Sequence, residues 1–371
     1  MRVLIANPPW FVPVGAARAK ATQHGLRAGG RWPYTRPIHR NYFPFPFNMA
    51  YAHAHLKRMG VETLMRDSVV HLDEYADFFK LARTFDYVVM ETAVASRVND
   101  HYVAKEVGKH SKVVLVGPYA TTIAPKMAKR PEVHAVLRGE YEQSLHACVT
   151  SGKGGVYEFQ EWENVDDAPF PTRDNSIYQY KMARHPYALN VWGSRGCPFH
   201  CNFCYSQRFQ KSHRYRGHSP ARLEAEIADV LKRFPKIQYV YFDDDTFNIG
   251  NNRVRGIAKV MKKFGLPWGA MCRADTCNLE TFQTMRNCGC VEVKIGVESG
   301  SQRVLDEVIG KGLDLRRVKS VIPALKKIGM RVHGTFMRGF ETETAKELAA
   351  TRRLIGELKC NSHQFSNLRK Q

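Results

Sequence analysis

The first 61 residues contain no aspartate or glutamate against nine lysines and arginines, and the first 147 contain no cysteine. No apolar run approaches the roughly 18 residues that a membrane span requires. The apolar start at residues 3–6 is cut short by Asn7-Pro8-Pro9, which reads against a secretory signal. No heptads, short-period repeats or low-complexity tracts occur, so coiled coils and solenoids are excluded. Nine cysteines in 371 residues are too few and too scattered for a disulfide scaffold, and a reduced, cytoplasmic setting is expected.

What is present is globular. The chain is 44% hydrophobic and 25% charged, and 56 Lys plus Arg against 35 Asp plus Glu leave a formal charge of +21. Length predicts two domains, and the charge suits an anionic substrate or partner. Short β-branched runs at 3–6, 62–66, 87–92, 113–116 and 135–137 alternate with amphipathic stretches such as 48–59. This pattern predicts an α/β, doubly wound, Rossmann-like domain over residues 1–155. A polar, proline-bearing connector is expected at 156–187. Strands are then expected at 189–192, 238–242, 268–271, 291–297, 331–337 and 364–368, with helices such as 221–234 and 345–358 between them. Six βα units over 188–371 predict a partial (β/α)6 barrel of TIM type rather than a closed eight-fold one.

Chemistry concentrates in Gly196-Cys197-Pro198-Phe199-His200-Cys201-Asn202-Phe203-Cys204-Tyr205. Three thiolates on one loop can converge on one centre, and soft thiolates select zinc or iron–sulfur clusters. A zinc site wants a fourth ligand. His200 could supply it, although it lies between two cysteines. A four-iron cluster held by Cys197, Cys201 and Cys204 would instead leave one iron open for chemistry.

Cys-x3-Cys-x2-Cys followed by an aromatic, after the first strand of a βα barrel, resembles the radical S-adenosylmethionine (SAM) superfamily. The resemblance implies a [4Fe–4S] cluster whose open iron chelates SAM, and reductive cleavage to a 5′-deoxyadenosyl radical. It also implies an external electron donor of flavodoxin or ferredoxin type. Further landmarks follow in order. They are Tyr241-Phe242-Asp243-Asp244-Asp245-Thr246-Phe247, Cys272-Arg273-Ala274-Asp275, Gly296-Val297-Glu298-Ser299-Gly300-Ser301 and Gly339-Phe340-Glu341-Thr342-Glu343-Thr344. By this resemblance Tyr205, Asp244, Arg273, Glu298, Ser299 and Gly339 face SAM. The last motif departs from the usual Gly-Leu-Pro-Gly-Glu-Thr. Read without the family, Arg273 could merely pair with Asp275, and Glu298 could cap a helix starting near Ser301.

The first half is similar to the cobalamin-binding domain that precedes many radical SAM barrels. The likeness rests on Ala28-Gly29-Gly30-Arg31-Trp32-Pro33, Tyr42-Phe43-Pro44-Phe45-Pro46-Phe47, Val116-Gly117-Pro118-Tyr119-Ala120-Thr121 and Leu137-Arg138-Gly139-Glu140. Thr92, Gly117, Thr121, Gly139 and Glu140 are then the cobalamin-side candidates. The Asp-x-His-x-x-Gly motif of cobalamin mutases is absent, since Asp67 and His71 stand four apart. Either cobalamin binds without a protein histidine or the domain has lost it, and His71 reads as an ordinary loop residue.

The function these features imply is a cobalamin-dependent radical SAM methyltransferase acting on an unactivated centre of a small molecule. The alternatives are a cyclase, oxidoreductase or rearrangement enzyme of the same architecture, a shortened member that relies on a partner, and an RNA-modifying or RNA-binding protein. For RNA speak the basic segments Arg18, Lys20, Arg27, Arg31, Arg36 and Arg40, and Arg208 to Arg216. Against it, the RNA methylthio-transferring relatives carry a second cysteine triad that residues 1–147 lack, so nucleic acid is not the expected partner.

Overall fold

The structure is a computed structural model that describes residues 1–13, 22–28, 32–37, 44–94, 96–180, 185–204, 206–211 and 213–368. Arg18, Lys20, Gly29, Gly30, Arg31, Arg40, Tyr42, Phe43 and Tyr205 lie outside the described residues. The chain divides into two compact units. One comprises Met1–Tyr187 with Arg208–Ser212, the other Ala188–Gln207 with His213–Gln371.

The first unit contains β1 (Arg2–Asn7), an antiparallel trio β2 (Phe11–Pro13), β3 (Thr22–Ala28) and β4 (Trp32–Pro37), then β5 (Glu62–Asp67), β6 (Tyr87–Glu91), β7 (Lys112–Val116), β8 (Val133–Leu137) and β9 (Gly155–Tyr157). The main sheet runs β5-β1-β6-β7-β8-β9, and its pairings are parallel. Alternate residues of each strand enter opposite cores. Leu4, Val88, Met90 and Leu115 pack with Phe78, Val103 and Met127. Val3, Ile5, Val89, Val114 and Val116 pack with Met49, Leu56 and Leu145 on the other face. Burial on both faces is why these strands read as unbroken apolar runs. The winding reverses between β1 and β6, the switch point beyond which ligands bind in such sheets.

The second unit holds β10 (Ala188–Val191), the short antiparallel pair β11 (Ser194–Arg195) and β12 (Arg216–Gly217), and then β13 (Tyr239–Phe242), β14 (Trp268–Cys272), β15 (Cys290–Glu298), β16 (Arg331–Arg338) and β17 (Ser362–Asn367). The barrel sheet follows chain order, β10-β13-β14-β15-β16-β17, with parallel pairing and helices between successive strands. Ser219 caps the Pro220–Arg233 helix by accepting from the Arg222 N–H at 3.1 Å. Thr344 and Glu347 form a reciprocal capping box on the Ala345–Leu358 helix. This is the six-stranded partial barrel expected from the strand count.

Two features depart from the sequence reading. Gly155–Tyr157, expected at the start of the connector, is instead the sixth strand of the first sheet. Three residues on an edge carry too little periodicity to be seen. The trio β2–β4 falls in the acid-free stretch, where glycine and proline hid any alternation. Among the described residues no helix is long and apolar enough to cross a membrane.

Candidate active site

The cysteine loop leaves the barrel directly after β11, and β12 closes the excursion by pairing Ser194 with Gly217 and Arg195 with Arg216. The corner is fixed by Asp244. Its carboxylate is 1% exposed, accepts the Gly193 N–H at 3.0 Å and the Ser194 hydroxyl, and so ties the end of β13 to the start of the loop.

From there the loop meets the carboxyl ends of four strands. The Cys197 Sγ lies 3.7 Å from the Thr246 Oγ1, after β13. The Arg273 guanidinium, after β14, stands 3.6 Å from the centroid of the Phe199 ring. Asn202 donates from its backbone N–H to the Ile309 carbonyl at 3.0 Å and from its amide to the Val308 carbonyl at 2.6 Å, beyond β15. Phe203 packs edge-on against Phe340, after β16, with ring centroids 5.9 Å apart. Phe199, Asn202 and Phe203, the residues between the cysteines, therefore brace the loop on three of these strand ends. Strand ends are where barrel folds place chemistry.

Among the described residues no three His, Cys, Asp or Glu side chains form a closed ligand set. The thiols nevertheless act on one another. Burial, then the Asp245 carboxylate and Cys197, push the Cys204 thiol up to about 12. Burial likewise raises Cys197, with Asp245 and Cys201 adding to it. A positive iron centre is what would offset that cost, because metal binding replaces protons on thiols. The donor chemistry of three such thiols on one braced loop fits an iron–sulfur cluster.

The carboxylate facing the cysteines is thus Asp245, whereas Asp244 is engaged at the corner. The two adjacent aspartates thus differ in setting, which their sequence alone does not distinguish. Arg273 is 4% exposed and donates twice to Asp275, at 2.9 and 2.7 Å, and once to the Lys311 carbonyl at 3.1 Å. The pairing weighed from sequence is present, and it aims the guanidinium at Phe199.

Glu298 sits at φ +71° at the end of β15, where the register shifts between Gly296 and Glu298. A non-glycine residue held there is strained and marks a constrained site. Its carboxylate pairs with Lys311, Oε1 to Nζ 3.2 Å, both side chains under a tenth exposed. A Cβ at Gly296 would come within 2.5 Å of that Oε1, so glycine is needed to leave the pair its space. The helical cap is Ser301, whose hydroxyl accepts the Val304 N–H at 3.3 Å, rather than Glu298. Ser299 is fully buried and lies 3.3 Å from the Thr351 hydroxyl. Lys311, Asn202, Phe203 and Thr246 were missed from sequence, since their partners lie far along the chain.

Gly339, at φ +86°, receives the Glu343 carboxylate on its N–H at 2.9 Å, a side-chain substitute for the absent Pro-Gly turn. With Arg338, Phe340, Thr344, Leu348 and Leu368 it lines a cavity of about 440 Å³. This is room for a substantial part of a nucleoside.

In the first unit the cobalamin-side candidates interlock. Thr92 donates to the Val116 carbonyl at 2.7 Å and accepts the Ala120 N–H at 3.0 Å, and the Gly139 N–H donates to Thr121 at 3.0 Å. Glu140 is 4% exposed. A Cβ at Gly117 would meet the Thr92 backbone at 2.9 Å, and one at Gly139 the Phe159 ring at 2.5 Å and the Phe209 carbonyl at 2.7 Å. Both glycines thus serve packing within the unit. At the switch point, Asn7 is fully buried and its side chain hydrogen-bonds the Asp67 carboxylate.

A braced three-cysteine loop across the strand ends of a partial βα barrel defines the radical SAM class, and the chain belongs to the radical SAM superfamily. The superfamily's pattern matches residues 193–355. The chain is 32% identical over 350 residues to the uncharacterized methyltransferase PH0819 of Pyrococcus horikoshii, covering 86% of this chain and 75% of that one. It is 30% identical over 189 residues to the cytidylyl-2-hydroxyethylphosphonate methyltransferase of Streptomyces wedmorensis, covering 47% of this chain and 34% of that protein. In fold it is similar to the radical SAM methyltransferase TsrM of Kitasatospora setae, with a TM-score of 0.76, 14% identity, and coverage of 100% of this chain and 75% of that one.

Proposed function

We propose that this chain is a cobalamin-dependent radical SAM methyltransferase acting on an unactivated carbon or phosphorus centre of a small substrate. The observation that carries the reading is the three-cysteine loop braced on the strand ends of the barrel by Phe199, Asn202 and Phe203. The methyltransferase names of PH0819 and of the phosphonate enzyme support group transfer. TsrM, solved with cobalamin and a [4Fe–4S] cluster bound, supports the cofactor pair. On this reading the barrel unit is the radical SAM core and the first unit the cobalamin-binding type.

Cys197, Cys201 and Cys204 would hold the cluster, which supplies the electron that cleaves SAM. Asp245 is the acceptor placed to receive the SAM ammonium, and Asp244 keeps that corner in shape. Glu298, held in its strained conformation by Lys311, offers a carboxylate to the ribose side. Gly339 and its cavity take the adenine side, while Ser299 secures the turn that carries Glu298. Arg273 orients the loop through Phe199, and Tyr205 is the aromatic following the last cysteine. In the first unit, the buried Asn7, hydrogen-bonded to Asp67, marks the switch point beyond which cobalamin would bind. Thr92, Gly117, Thr121, Gly139 and Glu140 shape the loops around it. An external flavodoxin or ferredoxin supplies electrons.

Anaerobic reconstitution should give a protein that releases 5′-deoxyadenosine and S-adenosylhomocysteine from SAM with a reductant, and that co-purifies with cobalamin when it is supplied. Replacing the three cysteines with Ala should abolish iron binding, and iron retained by the triple variant would sink the cluster assignment. 5′-Deoxyadenosine without S-adenosylhomocysteine, in protein that holds no cobalamin, would replace methyl transfer by ring closure or rearrangement.

A further inference from the structure

We propose that Asn202 is the positioning residue that holds the cysteine loop in ligand geometry before any metal arrives. The proposal rests on the reading of Cys197, Cys201 and Cys204 as cluster ligands. After β15 the chain forms a π-helical turn, Val304–Val308. It ends with the Ile309 N–H bonded to the Val304 carbonyl at 3.0 Å and the Lys311 N–H to the Leu305 carbonyl at 2.7 Å, and Gly310 follows at φ +62°. Such a terminus leaves its last carbonyls without intrahelical donors. Two of these, Val308 and Ile309, are the carbonyls that Asn202 satisfies, one with its side chain and one with its backbone. Asn202 therefore caps a helical terminus more than a hundred residues away, and in doing so pins the loop midway between Cys201 and Cys204. Within the loop the Cys204 N–H donates to the Cys201 carbonyl at 2.9 Å, and the Cys197 and Cys204 thiols take bonds from Phe199 and Ser206; Asn202 ties this local structure to the wall.

The same turn carries Lys311 and, through it, Glu298. One rigid piece thus links the metal-ligand loop to the strand end assigned to SAM. Phe199 and Phe203 give the loop two apolar braces. The Asn202 side chain adds direction, because a hydrogen bond fixes angle where ring packing tolerates sliding. π-Turns recur at functional sites, and here the turn exposes adjacent carbonyls to one side chain. An amide is the fitting group, since a carboxylate would face carbonyl oxygens with no donor.

The test compares Asn202→Ala and Asn202→Asp with the parent. The readouts are iron per chain after anaerobic reconstitution, the rate at which a ferrous chelator strips that iron, and the thermal midpoint of the metal-free protein. Iron loss about ten-fold faster in Asn202→Ala and faster still in Asn202→Asp is expected, with metal-free midpoints within about 2 °C of the parent. Stripping rates equal to the parent's in both variants would overturn the proposal. So would faster loss matched by a large fall of the metal-free midpoint, since Asn202 would then merely brace the fold. Failure of the parent itself to take up iron would instead count against the cluster reading on which the proposal stands.

Discussion

Asp67 shows at the residue scale how burial can outweigh the hydrogen bonds made to a carboxylate. It ends β5 fully desolvated, and burial outweighs the hydrogen bonds from Tyr180 and Val69 to push its carboxyl up to about 6. The folded state therefore holds a proton that the unfolded state has already released between pH 4 and 6, so stability falls as pH rises through that window. Asp67→Asn should raise the unfolding free energy measured by chemical denaturation at pH 7.5, by up to about 3 kcal/mol from a two-unit shift, and the gain should vanish below about pH 4. A gain independent of pH would refute this account. Residues of this kind are legible only in part. The three cysteines announce themselves by spacing, whereas Asp245 and Lys311 acquire roles from neighbours that no local pattern encodes.

At the scale of elements, the alternation of apolar runs and amphipathic stretches disclosed both sheets, because parallel strands buried on two faces are continuous in hydrophobicity. β9 escaped notice because an edge strand needs no such run. The turns at strand ends were recognisable as motifs, yet their packing was not. Gly300 illustrates the point: a Cβ there would lie 2.6 Å from the Ala350 carbonyl oxygen, on the helix that also bonds the Gly300 N–H through Thr351 at 2.9 Å. Gly300→Ala must push the turn off that helix, and a loss of about 2 kcal/mol is expected by chemical denaturation. A loss below about 0.5 kcal/mol would show that the turn yields freely.

For the whole molecule, the +21 charge predicts, on the proposed function, electrostatic steering of an acidic electron donor. Reduction by an acidic flavodoxin should slow several-fold as salt rises from about 0.05 to about 0.5 M. Reduction by a small chemical reductant should change far less. Equal salt dependence of the two would remove the charge from this role.

The chain enters the second unit at Ala188, returns to the first for Arg208–Ser212, and leaves again at His213. The return is built in, for Glu161 accepts the Lys211 N–H at 2.8 Å and Phe209 lies over Gly139. During synthesis, then, the sheet of the first unit emerges before the last segment that packs with it. In chain order the cysteine loop, residues 197–204, is made before residues 208–212 of the first unit. A single cut between residues 187 and 188 would deprive the first unit of its last piece, so the two units are coupled in biosynthesis even where each has its own core.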